Sequence, residues 1–139
     1  MEQKMDSQSR DRQDPIRLLL VDDEEGFVDI LTKRLARRNI TTAKAYNGVD
    51  GIQLLMKAPF DVAVVDLKME GMDGIELLKV FKNMDPKLPV IILTGHGSEQ
   101  ASREGIALGA FDYLSKPYDL EKLIAKIEAA ATDGGKSHG

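Results

Sequence analysis

The chain has 139 residues, a net charge of −4 from 19 basic and 23 acidic side chains, and no cysteine. That length suits one domain, and the missing thiols exclude a disulfide scaffold, a thiolate zinc site and a cysteine nucleophile. The acidic balance argues against nucleic-acid binding through bulk electrostatics, which needs a basic face, and no apolar run approaches the roughly 18 residues of a membrane span.

Residues 1–14 (MEQKMDSQSRDRQD) are polar, have no apolar period and contain no signal-peptide core, so a disordered head is expected there. The first patterned segment, residues 16–21 (IRLLLV), is nearly all apolar and too short for a typical helix, as a parallel strand covered on both faces would be. Phe27, Leu31 and Leu35 then recur at helical spacing. Residues 41–46 (TTAKAY) are more mixed, as an edge strand is, and 49–56 predict a shorter helix. Residues 62–65 repeat the buried-strand pattern, and Leu77, Val80, Phe81 and Met84 form a third helical stripe. Residues 90–93 are a further apolar strand. The helical pattern over 98–108 is weak and interrupted by Gly105, which predicts the least rigid helix. Residues 111–115 (FDYLS) are a weaker fifth strand. Leu120, Leu123, Ile124, Ile127 and Ala131 line the last helix, with Asp119 placed to cap it. The domain therefore spans 15–131, and the polar, Gly-rich residues 132–139 are expected to be a flexible tail.

Five strands alternating with five helices predict an α/β fold, a flavodoxin-like (βα)5 three-layer sandwich built on a parallel sheet. Placing the three most apolar strands at the centre gives the order 2-1-3-4-5, in which ligands bind beyond the carboxyl ends of the strands at the switch point.

Those ends carry chemistry. Asp22 and Asp23 follow the first strand, Asp66 ends the third, Thr94 the fourth, and Lys116 follows the fifth. Two unit charges near 4 Å repel by about 4 kcal/mol at an effective dielectric of 20, so three carboxylates need more than one lysine. A divalent cation resolves the strain, and oxygen donors with room for water and phosphate favour Mg²⁺ over Zn²⁺. The acidic loop DDEEG (22–26) would repel a bare flavin phosphate, GHG (95–97) is not a dinucleotide fingerprint, and no phosphate-binding P-loop sequence is present. Taken singly, each residue has a plainer reading: an acidic helix start, a turn aspartate, a capping threonine, a surface lysine. Their coincidence at sister strand ends argues for a site.

VDDEE (21–25), VVDLKMEGMDG (64–74), LTGHG (93–97) and YLSKP (113–117), in this order, resemble a response-regulator receiver domain of two-component signalling. LTGHG further resembles receivers of the nitrogen-regulator type. The resemblance covers nearly the whole domain. It implies that Asp66 is the phosphoacceptor, that Mg²⁺ sits on Asp23 directly and on Asp22 partly through water, and that Asp66 and the Lys68 backbone carbonyl complete the metal set. It implies that Thr94 and Lys116 bind phosphoryl oxygens, that Tyr113 is the switch aromatic, that Lys68 and His96 tune hydrolysis, and that Lys116–Pro117 is a cis peptide.

The implied partners are a histidine kinase or a histidine phosphotransfer protein as donor, and a downstream protein or a separate output domain. The receiving surface would be the face formed by residues 98–108, 111–115 and the last helix. Such a protein would be cytoplasmic, with no direct nucleic-acid or membrane contact and no catalysis beyond its own phosphorylation and dephosphorylation; a homodimer is left open. No output domain fits after the last helix, so the expectation is a stand-alone receiver or a piece of a longer regulator. Two other functions compete: a pseudo-receiver that binds protein without phosphorylation, and a small Mg²⁺-dependent phosphohydrolase.

Overall fold

In a computed structural model that describes residues 14–69, 71–95 and 99–136, with side chains as far as Thr132, strands and helices alternate along the chain. The order is β1 (Ile16–Val21), α1 (Glu25–Ala36), β2 (Ile40–Ala45), α2 (Gly48–Lys57), β3 (Val62–Asp66), α3 (Gly74–Met84), β4 (Val90–Thr94), α4 (Glu99–Ala107), β5 (Asp112–Ser115) and α5 (Leu120–Lys136). All strands are parallel, in the order β2-β1-β3-β4-β5. This is the predicted fold and the predicted strand order.

The continuous apolar runs follow from burial on both faces. Side chains alternate along a strand, so Leu18, Leu20, Val62, Val64, Ile91 and Leu93 meet α1 and α5 in one core. Leu19, Val21, Ala63, Val65, Val90 and Ile92 meet α2 and α3 in the other. β3 and β4 are buried throughout, whereas the edge strands β2 and β5 alternate with solvent. Asn47 caps α2 by accepting from the Asp50 amide at 2.8 Å, and Asp73 caps α3 through Glu76 at 2.9 Å. Asp119 accepts from the Glu121 amide at 3.4 Å at the start of α5, where the cap was predicted.

Several boundaries differ from the sequence reading. β2 begins at Ile40 and releases Tyr46, whose hydroxyl donates to Asp29 at 3.0 Å. On α3 the buried side chains are Leu77, Leu78 and Phe81, with Gly74 buried at its start, while Met84, in the last turn, is 37% exposed. The α5 stripe closes on buried Ala130 rather than Ala131, and the helix runs on through 132–136, because propagation fixes only one residue per added bond. Residues 1–13 and 137–139 lie outside the described residues. α4 buries only the small residues Ser102 and Gly105 and leaves Ile106 exposed, as is Leu108 just after it. A Cβ on Gly105 would overlap the Ile92 side chain, so the helix lies close on β4. Among the described residues, no helix is long and apolar enough to cross a membrane.

Candidate functional site

The parallel register assembles the site. Val21 pairs with Val65, so the next residues, Asp22 and Asp66, lie side by side at the carboxyl edge, while Asp66 pairs with Leu93 and Thr94 with Ser115. Asp22 is fully buried and Asp66 is 5% exposed, whereas Asp23 is exposed. One carboxylate oxygen from each of the three lies within 4.8 Å of the others. Oxygen donors at this spacing fit a hard divalent cation that keeps some of its waters.

Lys116 reaches into the cluster from the end of β5. Its Nζ donates to Asp22 Oδ2 at 3.1 Å, to Asp66 Oδ2 at 3.3 Å and to Glu24 Oε1 at 3.3 Å. The remaining oxygens are held by backbone: the Lys68 amide donates to Asp66 Oδ1 at 3.1 Å and the Glu24 amide to Asp22 Oδ1 at 3.0 Å. Thr94 is buried, and its hydroxyl donates to Ser115 Oγ at 3.3 Å. The Lys116–Pro117 peptide is cis, as the resemblance implies. Among the described residues, nothing lies within 4 Å of a Cβ built on Gly95, the residue after Thr94.

Among the other predicted residues, the two that are described have exposed side chains. The Lys68 side chain is exposed, although its amide is in the site. Tyr113 is on β5 and 39% exposed. His96 lies outside the described residues.

Burial pushes the Asp66 carboxyl up to about 6, with the Asp22 charge adding to it; the Lys68 amide and Lys116 act in the opposite direction. Burial alone would lower Lys116, but the charges of Asp22 and Asp66 outweigh it and hold the ammonium above the usual lysine range. A pH dependence of stability follows. An acid whose folded pKa is raised binds its proton more tightly folded than unfolded, so stability falls as pH rises from the unfolded value near 3.8 to about 6. Urea unfolding in EDTA should show this loss between pH 4 and 6, and Asp66→Asn should remove it. The same pH slope in wild type and Asp66→Asn through that window would contradict the assignment.

Four residues at the site escaped the sequence reading. Glu24 pairs with Lys116, and Ser115 accepts from Thr94. Phe27 lies beneath Lys116, and Tyr118 packs on Phe27. The doubled acid pair DDEE and the tyrosine after the lysine–proline pair were visible signals, but which way those side chains turn was not.

The response regulator receiver domain family matches residues 18–128. The DNA-binding transcriptional regulator NtrC of Escherichia coli is 39% identical over 111 residues, covering 80% of this chain and 24% of that protein. The chain thus spans about a quarter of the length of that relative. The receiver domain of NtrX from Brucella abortus superposes with a TM-score of 0.79 at 28% identity, covering 82% of this chain and 97% of that one. A CheY-like receiver domain protein from Methanospirillum hungatei gives a TM-score of 0.83 at 27% identity, over 88% and 98%. With the acids, the threonine and the lysine gathered at the carboxyl edge of a 2-1-3-4-5 sheet, these matches place the chain in the response-regulator receiver family, with nitrogen-regulator-type relatives.

Proposed function

We propose that Asp66 accepts a phosphoryl group from a phosphohistidine on a histidine kinase or phosphotransfer protein. The observation that carries this is the setting of Asp66: a carboxylate 5% exposed, 3.3 Å from the Lys116 ammonium and beside two further carboxylates. A buried acid serving only the fold would not share its pocket with two others.

An oxygen of Asp66 attacks phosphorus in line, the P–N bond breaks, and its electron pair leaves with the imidazole nitrogen. Little covalent work falls to the protein, so positioning and charge neutralisation dominate. Lys116 moves from a carboxylate oxygen to a phosphoryl oxygen, and the Thr94 hydroxyl turns from Ser115 to another. Mg²⁺, held by Asp22, Asp23, Asp66 and the Lys68 carbonyl, supplies further neutralisation of phosphoryl charge when bound. Water later hydrolyses the acyl phosphate, and the exposed Lys68 side chain is a candidate to tune that rate.

The new charge biases the fold through Thr94. Tyr113 and the weakly anchored α4 are the elements this reading moves, and a population shift of the surface formed by α4, β5 and α5 carries the signal. A groove of about 690 Å³ runs along β5 and α5 there, bordered by Asp112, Tyr113, Pro117, Lys122 and Lys126. The output is docking of that surface to a downstream protein or to an output domain like those of longer regulators.

The test is intact-mass spectrometry after incubation with Mg²⁺ and acetyl phosphate. One labile phosphoryl adduct is expected in wild type and none in Asp66→Asn. An equal adduct in both proteins would place the acceptor elsewhere, and turnover of phosphate esters far beyond one equivalent would favour a phosphohydrolase.

A further inference from the structure

Lysine is a compact charge on a four-carbon stem and has no intrinsic reason to stay aimed. At this site it is aimed. The three carboxylates that accept from Lys116 come from the β1–α1 loop and from β3. The ammonium also lies over the ring of Phe27, 5.1 Å from its centroid. That is inside the range, about 6 Å, over which a cation is attracted to an aromatic face.

Phe27 sits in the first turn of α1 and is only half-buried, packed against the core rather than within it. Tyr118 meets it in a T-shaped contact, with centroids 6.1 Å apart and planes at 76°, a favoured aromatic geometry. The Tyr118 hydroxyl is buried and, among the described residues, has no hydrogen-bond partner, so ring packing accounts for its position there. The two rings and the ammonium form a stack: Tyr118 braces Phe27, and Phe27 underlies Lys116.

An aromatic face attracts the ammonium without offering it a charged acceptor. When charge moves from the Asp66 carboxylate to phosphoryl oxygens, a carboxylate in this position would compete for the ammonium, whereas a ring does not. We propose that Phe27 is a positioning residue for phosphoryl transfer: its ring holds the Lys116 ammonium between Asp22 and Asp66. This rests on the reading that Asp66 accepts the phosphoryl group.

The test compares Phe27→Leu, which keeps apolar bulk but loses the ring, with Phe27→Tyr, which keeps the ring. Initial rates of adduct formation are measured with acetyl phosphate at saturating Mg²⁺. Chemical shifts of the Lys116 Cε protons, next to the ammonium that lies over Phe27, are measured by NMR in metal-free protein. Phe27→Leu is expected to slow the reaction about fivefold and to move the Lys116 signals toward those of an ordinary lysine. Phe27→Tyr is expected to keep both near wild type. If Phe27→Leu fails to unfold cooperatively, Phe27→Met takes its place.

Wild-type rate and unchanged Lys116 shifts in the leucine variant would overturn the proposal. So would an equal loss in the tyrosine variant, which would mark Phe27 as a packing residue only. A wild-type chain that takes no phosphoryl group would overturn the acceptor reading and the role in transfer together, while the Lys116 shifts would still decide whether the ring holds the ammonium.

Discussion

Lys116→Met is expected to slow phosphoryl acceptance by Asp66 about 100-fold, destabilise the metal-free protein and raise its affinity for Mg²⁺. The rate effect follows from removing a donor aimed at charge that develops during transfer, a loss of about 10²–10³ in comparable sites. The stability effect follows from burial. Asp22 is fully buried and Asp66 nearly so, and both accept from Lys116. Removing one member of a buried ion pair costs about 3–5 kcal/mol when the other keeps its charge. Asp66 can relieve part of that by taking up a proton, since its pKa already stands at about 6. The affinity effect has the opposite sign, because an ammonium 3.1–3.3 Å from the acids repels any cation they bind. Thermal unfolding in EDTA, calorimetric Mg²⁺ titration and adduct kinetics measure the three effects. Weaker Mg²⁺ binding in the variant would contradict this picture of the site.

Gly74→Ala is expected to destabilise the fold by about 3 kcal/mol. A Cβ there would sit 2.5 Å from Leu67 Cα and 2.7 Å from the Asp66 carbonyl oxygen. Both are backbone atoms, so no side chain can swing aside. Either α3 retreats or the end of β3 moves, and the latter displaces the Asp66 carboxylate from Lys116. The melting temperature should fall by roughly 10–20 °C for a domain of this size. Gly26→Ala is the control: among the described residues a Cβ there meets nothing within 4 Å, and the residue lies in α1. It should leave the melting temperature unchanged or slightly raised. A Gly74→Ala protein that melts with wild type would show that the β3–α3 connection yields more easily than its geometry indicates.

Fold and strand order were legible because burial on both faces leaves a run with almost no polar residue, as in residues 18–21 and 90–93. Boundaries were less legible where the sheet edge relaxes that demand. Tyr46 has strand character but leaves β2 to bond Asp29, and Leu78 joined the core because α3 buries a wider arc than the four-residue stripe suggested. The acids at the strand ends were legible because a parallel sheet brings its carboxyl ends together wherever the residues fall in sequence. The contacts of Lys116 beyond those strand-end acids were not: its partner Glu24 stands 92 positions away, and whether Glu24 turns inward depends on the course of one loop. Phe27 carried the right helical spacing and read as core; its second role exists only because Lys116 lies over it.

The central claim is that Asp66 becomes an acyl phosphate, and hydride trapping tests it most directly. Borohydride reduces an aspartyl phosphate to homoserine with loss of phosphate but leaves a free carboxylate unchanged. After reaction with acetyl phosphate and Mg²⁺, quenching in borohydride and peptide mapping, homoserine is predicted at position 66, with unmodified aspartate at 22 and 23. Homoserine at another acid, or an unreduced Asp66 in protein that carries the adduct, would contradict the account.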